Sequence, residues 1–301
     1  MSLITVFTPT YNRKKLLERL YHSLKRQTDQ KFEWLIVDDG STDDTKLFVD
    51  NIISESTFEI IYVYKKNDGK PSAHNKAVEL CENDFILIVD SDDILTDNAI
   101  EVLNKKCEII QSMDNVSGII GNKGLITNKE KVIGNKMPDI EYASGLELYQ
   151  KCGFKGETLR LYKTKILKEF LFPLIENEKF IPENVVFDKI DQHYKMLVIH
   201  EILYLCEYQE TGLSSNIYNV RKNNPIGYSL SLKSTAETGL SFKKKVGVTI
   251  LYILWNRKFR IKNTFKTFRY KFIYIVCVPI SFLFQLLKRP KFYFNMFKES
   301  N

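Results

Sequence analysis

Three carboxylates crowd the four residues Asp90-Ser91-Asp92-Asp93. Held so close, they repel one another and resist common ionisation. A divalent cation relieves that repulsion. Hard oxygen ligands suit Mg2+ or Mn2+, which keep several waters and also bind phosphate oxygens, so a diphosphate substrate fits. The competing reading is helix capping, in which an Asp ahead of Ile94-Leu95 satisfies free backbone N–H groups. Capping accounts for one Asp comfortably but not for three.

Three further segments carry chemistry. In Val37-Asp38-Asp39-Gly40-Ser41-Thr42-Asp43-Asp44-Thr45, Ser41 or Thr42 as an N-cap with acids in the first turn explains Ser41 through Asp44. That leaves Asp38 and Asp39 at the tip of an apolar run, where a carboxylate can accept a hydrogen bond from a base N–H. Thr8-Pro9-Thr10-Tyr11-Asn12-Arg13 offers the face of Tyr11 for stacking a base and Arg13 for a phosphate, against a plain turn with a surface tyrosine. Asp68-Gly69-Lys70-Pro71-Ser72-Ala73-His74-Asn75-Lys76 opens a helix, and a helix N-terminus beside Lys70 favours an anion. A loop with proline at a helix start explains the same residues, and His74 by itself is expected at the surface.

The elements that must position these segments alternate. Leu3–Phe7, Trp34–Val37, Ile60–Tyr64 and Phe85–Val89 are short β-type runs. Between and after them, apolar residues recur at helical spacing: Leu16, Leu17, Leu20 and Leu24; Leu47, Phe48, Ile52 and Ile53 in a helix from about Thr42 to Ser54; Ala73, Ala77, Val78 and Cys81; and Ala99, Leu103 and Ile110. Unbroken apolar strands separated by helices predict an α/β fold, a parallel sheet covered on both faces. In such sheets ligands sit beyond the carboxyl ends of the strands, and the polar clusters follow the first, second and fourth runs. The pattern from about Gly118 to Ser241 is less regular, with helices predicted around Ala143–Cys152 and Val185–Met196. This half is expected to pack onto the sheet and supply acceptor contacts.

The four motifs and their order resemble family 2 glycosyltransferases of the GT-A fold, over about residues 2–225. That resemblance implies a Rossmann-like, mostly parallel sheet flanked by helices and an inverting transfer from a nucleotide-diphospho-sugar. It implies that Pro9, Tyr11 and Asp39 hold the uracil of a UDP-sugar. Asp90, Ser91 and Asp92 match the family's DxD element at the ribose and the Mn2+ or Mg2+ ion, with Asp93 sharing that work. Lys70 and Asn75 lie where the family contacts the phosphates or the sugar. Phe180-Ile181-Pro182-Glu183-Asn184 occupies the place of an acidic pair that deprotonates the acceptor. Its second member is here an amide, so Glu183 is the expected base. Arg221, shortly after Gly212-Leu213-Ser214-Ser215, is placed as a diphosphate clamp. No QxxRW element is found, which argues against a processive polymerase.

The charge is divided. Residues from Lys243 to Asn301 hold fourteen Lys and Arg and one acid, Glu299, so that segment is +13 within a chain of net charge +7. An acidic body with a basic, apolar tail does not fit a nucleic-acid binder. The expected division is a glycosyltransferase domain at 1–241, its nucleotide-sugar half at about 1–117 and its acceptor half at about 118–241, followed by a helical, membrane-associating tail at 242–301. Within the tail, Phe272–Leu287 is mostly apolar but interrupted by Pro279. It is shorter than the roughly 20 residues of a spanning helix. Flanking cations suit an anionic membrane surface; a soluble helical subdomain or an oligomer contact is the alternative. Five cysteines without a CxxC pair point to reduced thiols. Met1–Thr5 carry no charged, then apolar, leader. A cytoplasmic enzyme on the inner face of the cell membrane is the expectation, taking a UDP-sugar donor and a glycan or lipid-linked glycan acceptor.

Overall fold

The computed structural model describes residues 4–207, 216–239 and 241–286. Gly212–Ser215 and the end of the tail from Leu287 lie outside the described residues. The chain forms two compact units: residues 1–174 with 190–215, and residues 175–189 with 216–301.

The first unit is built on the expected alternation. Strand β1 (Ile4–Thr10) leads to helix α1 (Lys14–Lys25), β2 (Phe32–Asp38), α2 (Thr45–Ile53), β3 (Glu59–Tyr64), α3 (Lys70–Leu80) and β4 (Phe85–Ile88). β1 pairs in parallel with β2 and β4, and β2 in parallel with β3. Three of the four apolar runs thus become inner strands, and the third run, β3, forms the edge of the sheet. Ile4, Val6, Trp34, Ile36 and Leu87 are buried on one face with Leu17, Leu20 and Leu24 of α1, and α3 packs on β1 and β2.

Beyond β4 the sheet is mixed. A short β5 (Ile94–Leu95), α4 (Ala99–Ile110), β6 (Val116–Leu125), β7 (Asn128–Val132), β8 (Tyr142–Ala143), α5 (Gly145–Gln150), β9 (Thr158–Lys163), α6 (Thr164–Glu169) and β10 (Lys195–Cys206) complete it, while α7 (Asn184–Asp191), between α6 and β10 in the chain, belongs mostly to the second unit. The strand order is β3-β2-β1-β4-β9-β6-β10-β5, with β7 on β6 and β8 on β10. β9 runs antiparallel between β4 and β6.

Three local expectations are corrected. The helix predicted over Val185–Met196 stops at Asp191. His193 and Tyr194 close it by donating to the Ile190 carbonyl, and the run Met196-Leu197-Val198-Ile199 pairs with β6 instead. Ser41 and Thr42 do not cap α2, whose N-cap is Asp44 without a side-chain cap. Nor does any acid of Asp90–Asp93 cap a helix, because Ile94-Leu95 is a strand and α4 begins only after Asn98.

In the second unit, α8 (Ile217–Asn223), α9 (Pro225–Glu237), α10 (Phe242–Lys258), α11 (Thr264–Thr267) and α12 (Lys271–Leu286) gather around their own core. It includes Tyr228, Leu232, Leu251, Trp255, Phe268, Tyr274 and Cys277. Trp255 Nε1 donates to the Pro225 carbonyl (2.9 Å), and Ser229 Oγ to Asn256 Oδ1 (2.6 Å). The tail helices therefore pack with α9 rather than starting a separate body at residue 242. Among the described residues no helix is long and apolar enough to cross a membrane.

Candidate active site

The loops after β1, β2, β3 and β4 emerge at the carboxyl rim of the parallel strands, and polar contacts join them. Asn12 has a positive φ of 51°. That turn lets its N–H donate to Ser41 Oγ (2.8 Å) while its Oδ1 accepts from the Thr42 N–H (2.7 Å). Asp43 Oδ2 accepts from the Lys14 N–H at the start of α1 (3.2 Å). The acids and hydroxyls of the second loop thus hold the first loop in place, leaving the Tyr11 ring 47% exposed beside them.

Asp38 and Asp39 have different work. Asp38 is fully buried, and its carboxylate accepts from the Ser41 N–H (2.7 Å) and the Tyr62 hydroxyl (2.6 Å). Asp39 accepts from Lys65 Nζ (2.6 Å) and from the N–H groups of Asp68 (2.9 Å) and Gly69 (2.7 Å). It thereby fixes the turn from which α3 and Lys70 start. Gly69 occupies a positive φ of 89° at the N-cap, a conformation open to glycine without strain. Lys70 is the first residue of α3 and reaches Asp90 (Nζ–Oδ1 2.7 Å), while Arg13 reaches Asp92 (Nη1–Oδ2 3.0 Å) and, more distantly, Ser91 Oγ (3.4 Å).

Burial would raise the Asp90 pKa, but Lys70, Lys123 and Arg13 outweigh it and hold the carboxyl at about 2. Asp93 behaves differently. Burial pushes it up to about 6 despite Lys123, and Asp90 and Asp92 add to the rise. Its Oδ2 lies 3.6 Å from Lys123 Nζ and accepts from the Cys206 thiol (3.4 Å). Lys123 also sits 3.9 Å from the centroid of the Tyr204 ring, and the Tyr204 hydroxyl accepts from the Asp90 N–H (2.9 Å). Arg19 donates to the Asp92 carbonyl. The acidic loop is therefore braced by β6, β10 and α1. Sequence reading missed Lys123 and Tyr204; the available signal was a lysine within the apolar run of residues 116–125.

The rim pairs two basic side chains with two carboxylates beside an exposed aromatic ring. Residues 5–171, which include all four rim loops, match the sequence profile described as Glycosyl transferase family 2. The chain belongs to glycosyltransferase family 2. It is 28% identical over 258 residues to the GalNAc(5)-diNAcBac-PP-undecaprenol β-1,3-glucosyltransferase of Campylobacter jejuni, covering 81% of this chain and 77% of that one. It is 29% identical over 182 residues to the UDP-Glc:α-D-GlcNAc-diphosphoundecaprenol β-1,3-glucosyltransferase WfgD of Escherichia coli, covering 59% and 67%. Among solved structures, S. aureus TarS 1–349 in complex with UDP-GlcNAc superposes with a TM-score of 0.62 at 21% identity, covering 93% of this chain and 80% of that one. The fold of this glycosyltransferase is thus GT-A-like.

Two carboxylates fit a divalent ion in this glycosyltransferase. Asp90 is held ionised, and the Asp90 and Asp92 side chains are partly open, at 32% and 19% exposure. Mg2+ and Mn2+ need only one or two carboxylates when substrate phosphates complete the shell. Asp93 does not join them, because its buried carboxyl faces Lys123 and Cys206. Among the described residues no group of three or more His, Cys, Asp or Glu side chains is arranged around one ion position.

The remaining expected residues divide. Pro9 lies within β1 in register with Val37. Asn75 gives both ends of its amide to Phe172, donating to its carbonyl (2.8 Å) and accepting from its N–H (2.9 Å). His74, expected at the surface, is buried edge-on between Phe7 and Phe172. In the second unit, the Arg221 guanidinium packs 4.6 Å from the Tyr228 ring centroid, and its buried Nε has no hydrogen-bond partner among the described residues. Glu183 is exposed, and its carbonyl accepts from the N–H groups of Val186 and Phe187 in the first turn of α7. Asn184 turns inward: Nδ2 donates to the Ser231 carbonyl (3.2 Å), Thr235 Oγ1 (3.1 Å) and Asp188 Oδ2 (3.3 Å), while Oδ1 accepts from Ser231 Oγ (2.7 Å). An ionised carboxylate has no N–H to offer these three acceptors, so the amide at position 184 has a structural reason.

Proposed function

We propose that the chain transfers a sugar, with inversion, from a UDP-sugar to a hydroxyl of a glycan or lipid-linked glycan acceptor, in surface polysaccharide or glycolipid assembly. The observation that carries this reading is the pairing of Arg13 with Asp92 and Lys70 with Asp90 on one rim. Without a donor the cations neutralise the carboxylates. A diphosphate attracts the same cations, so binding exchanges one set of anions for another at little electrostatic cost. The names of the two relatives specify diphosphoundecaprenol-linked acceptors, and TarS carries UDP-GlcNAc, which supports the donor and acceptor classes.

In this reading the exposed Tyr11 ring and Pro9 receive the uracil, and Asp39 adds acceptor capacity for the base while fixing the loop before Lys70. Asn75 acts at one remove, by holding Phe172. Asp90 and Asp92 would hold Mn2+ or Mg2+, which when bound neutralises charge on the departing diphosphate. Arg13, Lys70 and the clamp candidate Arg221 supply fixed positive charge for the same purpose. Glu183 takes the proton of the acceptor hydroxyl as its oxygen attacks the anomeric carbon. The basic tail, 242–301, attaches the enzyme peripherally to the anionic inner face of the cell membrane.

A thermal-shift screen of nucleotide sugars with and without Mn2+ identifies the donor without knowledge of the acceptor. UDP-sugars are expected to raise Tm, and more so with the ion. Glu183→Gln should abolish transfer while leaving UDP-sugar binding intact; near-normal turnover would place the base elsewhere. The rival is an inactive sugar-nucleotide-binding scaffold, favoured by the amide at Asn184. It predicts donor binding without Mn2+-dependent hydrolysis of the donor.

A further inference from the structure

The geometry points to α12 lying flat in the headgroup layer of an anionic bilayer, with Phe272, Ile275, Val276, Pro279, Phe282 and Leu283 turned to the lipid. This rests on the transferase reading and specifies which face of that enzyme meets the membrane. The six residues recur at steps of three and four along the helix, so they share one stripe. Phe272 is 78% exposed, Ile275 57%, Val276 43%, Phe282 53% and Leu283 58%, and Pro279 is exposed with them. The stripe is not a helix left without a core. The opposite face buries Tyr274, Cys277 and Ser281, the first two in the core that α12 shares with α10. The helix therefore has two apolar faces, and one of them faces solvent.

Charge selects the occupant. From Thr238 to Lys298 the chain has no Asp or Glu, and ten Lys and Arg lie between Lys243 and Lys271. Lys271 precedes Phe272 at one end of the stripe, and the Arg257 guanidinium lies 3.8 Å from the Phe282 ring centroid toward the other. Cations beside an exposed apolar stripe match anionic headgroups above acyl chains. A second copy of the same face would bring like charges together. Two features favour a flat over a spanning helix. The apolar run Phe272–Leu287, bounded in the sequence by Lys271 and Lys288, is long enough as a helix for only about 24 Å against a hydrocarbon core of about 30 Å. Pro279, in mid-helix, removes the N–H that would serve the Ile275 carbonyl, a group that water or headgroups satisfy and hydrocarbon does not.

The test uses the full chain with phosphatidylcholine vesicles, with and without phosphatidylglycerol, in co-sedimentation. The parent should bind the anionic vesicles at least tenfold more tightly than the neutral ones. Ile275→Glu/Leu283→Glu should weaken anionic-vesicle binding at least tenfold while Tm and UDP binding stay unchanged. Separate Ile275→Trp and Leu283→Trp variants should be quenched equally by shallow-brominated lipids. Unchanged vesicle binding by the double Glu variant overturns the proposal, as does deep quenching at either tryptophan. Loss of a dimer in sedimentation velocity with vesicle binding retained overturns it in favour of a second copy. Donor hydrolysis, measured in parallel, reports on the transferase reading: its absence sinks that reading and leaves the lipid-facing stripe to be judged by the vesicles.

Discussion

Replacing Asn184 by Asp would restore the acidic pair on paper, and the structure predicts harm. The amide donates to the Ser231 carbonyl, Thr235 Oγ1 and Asp188 Oδ2. Asn184→Asp removes these donors, a loss of about 1–2 kcal/mol given that each bond is worth about 0.5–1.5 and two of them are long. It also sets a carboxylate near Asp188 Oδ2, at the present contact distance of 3.3 Å. At an effective dielectric of about 20, like unit charges 4 Å apart repel by about 4 kcal/mol, and solvent access at this half-buried site reduces that to about 2. The sum is about 3 kcal/mol at pH 7.5, or roughly 6–12 °C in Tm. Asp188→Asn in the same chain should recover about 2 kcal/mol as a coupling energy. Thermal unfolding of the four proteins of this cycle at pH 7.5, followed by near-UV circular dichroism, measures every quantity. A deficit under 1 kcal/mol at pH 7.5, or no rescue by Asp188→Asn, would refute the argument. A gain in kcat would refute the structural account of the amide as well.

Other consequences follow from the rim. Arg13→Met or Lys70→Met should raise the KM for the donor about 10–100-fold, the worth of one charge-assisted bond to phosphate, and calorimetric titration with UDP should show the same loss. Asp39→Asn should cost about 2–3 kcal/mol, because a buried charged acceptor of three donors becomes neutral, and urea unfolding reads it directly. Asp93 has a folded pKa raised to about 6 from 3.8. The stability it contributes is therefore complete below about pH 4 and is lost as pH rises through about 6. Measured against the parent, Asp93→Asn should accordingly fare better at pH 8 than at pH 4.5, by about 2 kcal/mol; equal urea midpoint shifts at both values would contradict this.

Much of the first unit was legible in the sequence because burial on both faces leaves an unmistakable record. Runs such as Trp34-Leu35-Ile36-Val37 can only be inner strands, and polar residues at their ends can only crowd one rim. The types and order of Tyr11, Arg13, Asp39, Lys70, Asp90 and Asp92 therefore marked one rim as the candidate site before any coordinates. Which of them meet was settled by tertiary structure, since ion pairs join residues distant along the chain. Asp93 looked equivalent to its neighbours until β6 and β10 brought Lys123, Tyr204 and Cys206 against it. Asn75 looked available for a ligand, and Asn184 looked only like a lost acid, until Phe172, Ser231 and Thr235 took their amides. In the tail, composition alone fixed the excess of cations and apolar side chains. Only packing against α10 decided which face of α12 is buried and which is left to solvent, because a helix apolar on all sides carries no periodicity from which that choice can be read.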